Sequence, residues 1–395
     1  MNLEKIRSET PTFSQGIIYL DHAAGSVPPS PVIQSMEKYL RELAEKGPVH
    51  PNFYDQSMKK VSEAKDKLAE LINAEGRDEI AFVKTGSEAI NILANGLRFE
   101  KNDEVIVDAL ETTSGLVPWL RLQKQTGIKV KIMKANHKGI LNVEELSHLL
   151  TPKTKLILVS HISNALGTLQ PVQEFGKIAR EHDVTYAINA CESLGQIDVD
   201  VKELGCDFLF SPFRKWLRGP QGLALLFCSK GMIKEIEPSS IGWNTTRWVS
   251  DEDYEHLDTC ERFEAGEPNF VAVAGLDRAL DYVGEVGGLQ AIRTRIEKLT
   301  RYLLEKLDYV KDLEIYGVKD ERLRGGIVSF NLKKVDPKKV SEKLAERNVV
   351  IEAGTFAARL ALGTFGLQIC ARVCAHYFNN EEDIDLFTEA LKGVN

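Results

Sequence analysis

The chain has 395 residues, 43% of them hydrophobic and 27% charged, with a formal net charge of −8 at pH 7. That length suggests roughly two domains of ~150 residues or somewhat more. An acidic balance without a long Lys/Arg block argues against a nucleic-acid surface, and no apolar run reaches the ~18 residues that span a bilayer. The stretch "MNLEKIRSETPTF" lacks a secretory apolar core, so the expectation is a cytoplasmic protein whose six scattered cysteines are reduced thiols. Only Cys370 and Cys374 lie close together; with no second pair at zinc spacing they read as packed residues, and no metal is expected.

Taken in chain order, "EIAFV" (79–83), "DEVIVD" (103–108), "KVKIM" (129–133), "KLILVS" (155–160), "VTYAIN" (184–189), "CDFLFS" (206–211) and "GLALLF" (222–227) are β-rich runs. Helical patterns lie between them, such as "SEAINILANGL" (87–97) and "VQEFGKIAREH" (172–182), with apolar residues three and four apart. This alternation predicts an α/β fold, a mainly parallel sheet of seven strands with helices on both faces. After about residue 285 the texture changes. "LQAIRTRIEKLTRYLLEKL" (289–307) is a long amphipathic helix, followed by "GGIVSFNL" (325–332), the helix "PKKVSEKLAERN" (337–348), "VVIEAG" (349–354) and a closing helix in 381–394. The expected division is a large domain over 21–284 and a smaller α+β domain from 1–20 and 285–395, with a glycine-marked hinge near 287.

The candidate chemistry starts from "SPFRKWLRGPQG" (211–222), which places Lys215 in a basic turn directly after an apolar run. In an α/β fold ligands gather at strand ends, so such a lysine is a candidate for an amine that bonds covalently to a carbonyl compound; a solvated surface lysine is the bland alternative. "KTGSEA" (84–89) follows another strand and opens a helix. There Gly86 and Ser87 offer N–H groups and a hydroxyl to a phosphate, or simply an ordinary helix cap.

Seven motifs in sequence order, "YLDHAAGS" (19–26), "KTGSEAIN" (84–91), "ETTSGLVPW" (111–119), "SHISNALGTLQPV" (160–172), the stretch 188–222, "RFEAGEPNF" (262–270) and "ICARVCAHYFNNEEDID" (369–385), resemble the class V aminotransferase family. These are fold type I enzymes that use pyridoxal 5'-phosphate (PLP), among them cysteine desulfurases, selenocysteine lyases and isopenicillin N epimerase-like proteins. The resemblance implies that Lys215 binds PLP covalently and carries protons, that Gly86, Ser87, Ser211 and Arg214 reach its phosphate, and that Asn164 and Glu192 lie near its phenolic oxygen. It places Asn189 at the pyridine nitrogen, Thr112 where a histidine normally stacks on the ring, and Arg372 on the substrate carboxylate. It also implies a homodimer with shared active sites, Glu267 of each chain standing where a threonine reaches the partner's phosphate. His22 and His50 are further candidates at the substrate mouth.

Several positions depart from the family's pattern. Asn189 replaces an aspartate, Glu192 a glutamine, Arg214 a histidine, and Ala357 stands where desulfurases carry a loop cysteine. A missing thiol removes the nucleophile that would accept sulfur as a persulfide. The neutral amide of Asn189 leaves the pyridine nitrogen unprotonated and the ring a weaker electron sink, so aspartate there is expected to strengthen it. The resulting expectation is a PLP-dependent lyase for a small amino acid, cleaving C–S or C–Se or eliminating at Cβ without a persulfide-carrying cysteine. Transamination, epimerisation and a non-catalytic binding protein on the same fold are the alternatives.

Overall fold

The computed structural model describes residues 1–394. All seven predicted apolar runs become strands of one sheet: β1 (Ile80–Val83), β2 (Glu104–Asp108), β3 (Lys129–Met133), β4 (Thr154–Ser160), β5 (Thr185–Asn189), β6 (Phe208–Pro212) and β7 (Ala224–Cys228). Their spatial order is β1-β7-β6-β5-β4-β2-β3. Strands β1, β2 and β7 are buried at every residue, which is why their sequences run apolar without alternation. The pairs β2–β3, β2–β4, β4–β5 and β5–β6 are parallel. Strand β7 runs against both β6 and β1. Two reversals restore the common direction, so the carboxyl ends of β1, β2, β4, β5 and β6 open on one edge of the sheet.

Alternate residues along each strand feed two cores. From β2, Ile106 faces the cluster that holds Val61 and Leu68 of α2 (Pro51–Leu71; α1 is Ser30–Lys46). Val105 and Val107 face the cluster that holds Ile90 and Leu93 of α3 (Gly86–Gly96) and Trp119 of α4 (Thr113–Thr126). Helices α5 (Val172–Glu181) and α6 (Phe270–Glu285) join the first cluster through Phe175 and Leu276. Truncating a residue such as Ile157, fully buried in the first cluster, costs ~2–5 kcal/mol through lost transfer energy and the cavity left behind.

Between β7 and α6 an antiparallel ribbon of β8 (Thr246–Ser250) and β9 (Asp253–His256) stands apart from the large sheet; the sequence reading had no strand there. Beyond α6, Gly287 and Gly288 take φ of +112° and +78°, where a side chain is strained, and α7 (Gly288–Asp308) begins. A four-stranded antiparallel sheet follows, in the order β10 (Leu313–Tyr316), β11 (Ile327–Leu332), β13 (Cys370–Cys374), β12 (Glu352–Gly354), with α8 (Pro337–Ala345) and α9 (Glu381–Lys392). The run "VVIEAG" is split between two sheets: Val349–Val350 pairs in parallel with Ile18–Tyr19, while Glu352–Gly354 becomes β12. Among the described residues no helix is long and apolar enough to cross a membrane.

Candidate active site

A cleft of about 840 Å³ lies at the edge where the strands end. The turn after β6 brings Arg214 and Lys215 to it, the ends of β4 and β5 bring Ser160 and Asn189, and the start of α3 brings Gly86 and Ser87. Thr112, Asn164, Glu192 and Arg372 complete the set of predicted residues on its wall. The Lys215 turn sits tightly on the 193–196 turn. A Cβ on Gly195, whose φ is +100°, would lie 2.6 Å from the Trp216 carbonyl carbon, so the close approach requires glycine.

Lys215 is buried, and its Nζ donates to Glu192 Oε1. The same oxygen accepts Asn164 Nδ2 at 2.6 Å, while Glu192 Oε2 accepts the Trp216 indole N–H at 2.8 Å. A glutamine there would leave a buried ammonium without a counter-charge; the glutamate supplies one. Asn164 carries the chain of contacts onward, because its Oδ1 and its backbone carbonyl each accept from Arg372 Nη1 at 3.0 Å. Arg372 projects from the middle of β13 and is almost wholly buried.

Asn189 has an acidic neighbour that the sequence reading did not place. Its Nδ2 donates to Glu111 Oε1, and its Oδ1 accepts the Cys191 N–H at 3.0 Å. Glu111 also accepts from Ser160 Oγ at 3.0 Å and from the Thr112 N–H at 2.8 Å. Behind it, Asp108 at the end of β2 accepts the Ser160 and Leu110 N–H groups, each at 2.6 Å. Burial and the charge of Glu111 push Asp108 up to about 8, and burial raises Glu111 as well. Burial and mutual repulsion thus both disfavour two ionised carboxyls in this pair. The signal for Glu111 was available as an acid at a strand end in "ETTSG", next to a position already singled out.

The residues present fit PLP. Thr85 caps α3, a helix of 11 residues, by accepting the Glu88 N–H at 3.1 Å, which leaves the N–H groups of Gly86 and Ser87, both on the cleft wall, for a phosphate. Ser87, Lys84 and Arg214 line the same region. Arg214 is itself held by the Ala24 carbonyl. A buried amine for covalent attachment, an amide at the ring nitrogen's expected place and a basic, N–H-rich phosphate end make a donor set of the right chemistry.

Ala357 also lines the cleft, in a segment docked onto the start of α4: its carbonyl accepts the Thr113 N–H at 2.6 Å and the Thr113 hydroxyl at 2.9 Å. Phe356 and Ala357 both adopt left-handed backbone, with φ of +50° and +54°. Cys191 is the one cysteine on the cleft wall among the described residues, and burial pushes its thiol up to about 12. Cys370 and Cys374 are buried in β13, as packed residues should be.

Four predicted residues are placed elsewhere. Ser211 is fully buried but does not line the cleft; its neighbours Phe210 and Pro212 do, since successive strand residues face opposite sides. His22 is enclosed by Trp216, His376 and Phe378, bonded to Ser26 Oγ and Asn379 Oδ1 at 3.1 Å each, and burial pushes it down to about 3, which keeps it neutral. His50 is exposed at the start of α2, and Glu267 is exposed on the loop before α6; neither lines this chain's cleft. His161 faces a separate depression beside Arg293.

Comparison with known proteins agrees with this geometry. Residues 18–387 match the class-V aminotransferase profile. A probable cysteine desulfurase of Methanothermobacter thermautotrophicus is 36% identical over all of this chain and 98% of its own length. One of Pyrococcus abyssi is 33% identical over 98% of this chain and 96% of its own. The apo structure of a cysteine desulfurase from Thermococcus onnurineus superposes with a TM-score of 0.93 at 30% identity, covering 98% of this chain and 97% of that one.

Proposed function

The chain belongs to the class-V aminotransferase family of PLP-dependent enzymes, and on that premise we propose that it is a lyase cleaving the Cβ–S or Cβ–Se bond of a small amino acid without a protein-bound persulfide. Bound through Lys215, PLP supplies an electron sink for the bond broken at the amino acid's Cα. The protein's own residues do the rest. Lys215, once its amine is released, takes the Cα proton, with Glu192 as its counter-charge. Arg372 holds the carboxylate by its guanidinium fork. The α3 start and Arg214 hold the phosphate, and Asn189 donates to the ring nitrogen. A homodimer is part of the proposal, the loop bearing Glu267 reaching the partner's cleft.

The observation that carries the reading is the pairing of Ala357 with Cys191 on the cleft wall. Ala357 has no thiol, and a thiol held up at about 12 is almost wholly protonated at neutral pH, so it is a poor acceptor of sulfur. The relatives' desulfurase names support C–S chemistry; Ala357 supports a different fate for the sulfur. The test is product analysis with cysteine and, separately, selenocysteine. Sulfide or selenide released with matching pyruvate and ammonia is the expected result. Keto acid formed without sulfide shows transamination and overturns the proposal, as does the absence of any turnover.

A further inference from the structure

The guanidinium assigned to the substrate carboxylate already has carboxylate partners. Arg372 Nη1 donates to Asn164 O and Oδ1; Nη2 donates to Asp21 Oδ1 at 3.2 Å and to Glu352 Oε2. Among the described residues its Nε–H, buried from solvent, has no partner. Of the five N–H donors of an arginine, a substrate carboxylate thus finds one free.

The two acids differ in how firmly they are held. Asp21 is nearly buried, with its side chain 12% exposed, and burial pushes it up to about 6. Glu352 comes from β12, directly opposite Arg372 in the register of β12 with β13, so backbone pairing itself brings the two side chains together. Its side chain is 37% exposed and lines the cleft. Glu352 can therefore turn outward into water at modest cost, and Asp21 cannot. The Phe356 ring, 4.2 Å from the guanidinium carbon, helps hold Arg372 in place while it does so.

We propose that Glu352 is a built-in competitor for the substrate's carboxylate, occupying Nη2 of Arg372 in the resting cleft and swinging out when an amino acid pairs with the same guanidinium. Glu352 thereby sets how tightly the cleft holds anionic ligands. With both acids in place the Arg372 site carries a surplus negative charge, so a carboxylate that fails to displace Glu352 is repelled. This inference rests on reading Arg372 as the carboxylate site.

The test uses the holoenzyme and 3-mercaptopropionate, a carboxylate that has no amine and so cannot bond to the cofactor, titrated by calorimetry. Glu352→Gln keeps the side chain's shape and removes its charge. It should tighten binding about tenfold or more, the weight of one charge-assisted contact. Arg372→Gln should abolish binding with either residue at 352. Unchanged affinity in Glu352→Gln, with binding still lost in Arg372→Gln, overturns the competitor and leaves the carboxylate site standing. Binding that survives in Arg372→Gln overturns both. A Glu352→Ser variant guards against a local effect of the glutamine and should tighten binding as well; if it does not, the competitor is likewise overturned.

Discussion

Replacing Asn189 with aspartate removes the Nδ2 donor to Glu111 and places a third carboxyl beside Glu111 and Asp108. Two unit charges ~4 Å apart at an effective dielectric of ~20 repel by ~4 kcal/mol. At ~1.4 kcal/mol per pKa unit, the repulsion alone is enough to raise a carboxyl of this cluster by about 3 units. The folded protein then binds that proton more tightly than the unfolded chain. Relative to the parent, stability is intact below about pH 4 and falls as pH rises toward the raised value. The assay is thermal melting of the apoprotein across that range. Asn189→Asp should melt close to the parent in acid and lower by ~4 kcal/mol of stability above neutrality. The double variant Glu111→Gln/Asn189→Asp exchanges acid and amide, restores the N–H···O contact and should recover most of the loss. A single variant that melts like the parent at every pH, or a double variant no better than the single, refutes the role given to Glu111. The expectation that aspartate simply strengthens the electron sink takes no account of this neighbour; the exchanged pair, not the single substitution, is the variant that should show it.

Other outcomes follow from the same cleft. Lys215→Ala should fold but lose covalent cofactor, and borohydride reduction of the parent followed by peptide mass spectrometry should place the pyridoxyl group on Lys215; another lysine carrying it contradicts the assignment. Glu192→Gln removes the carboxylate bonded to Lys215 Nζ and should shift the pH titration of the holoenzyme's visible absorbance toward acid, since the protonated nitrogen loses its counter-charge; an unmoved titration contradicts that role. Light scattering should give a dimer mass, whereas a monomer at working concentration removes the basis for a Glu267 contribution to a partner's cleft.

Much of this was legible in the sequence, for identifiable reasons. Strands buried on both faces must be continuous apolar runs, so β1, β2 and β7 could be read directly, while β3, exposed at its start, is read from the alternation of Lys129 and Lys131 with Val130 and Ile132. Lys215, Gly86 and Asn164 could be placed because each follows a strand or opens a helix in a motif of fixed order. What could not be read was which way a side chain turns and what meets it. Ser211 is one residue out of phase with the cleft-facing Phe210 and Pro212, a period-two fact visible only once the cleft-facing side is known. His22 sits in a motif at the cleft, yet its ring packs into an aromatic cluster while Ala23 and Ala24 line the wall. Glu111 and Glu352 gain meaning only from tertiary partners, Asn189 being 78 residues and Arg372 20 residues away along the chain. His50 and Glu267 are exposed in the single chain, and a single sequence carries no sign of what a second copy brings to them.

The most direct measurement of the central claim is the intact mass of the holoenzyme after turnover with cysteine, before any reductant is added. With Ala357 at the loop and the Cys191 thiol held protonated, the account predicts an unmodified mass while sulfide accumulates in solution. Sulfur added to Cys191 or to any of the other five cysteines, formed and discharged at the rate of turnover, would contradict it.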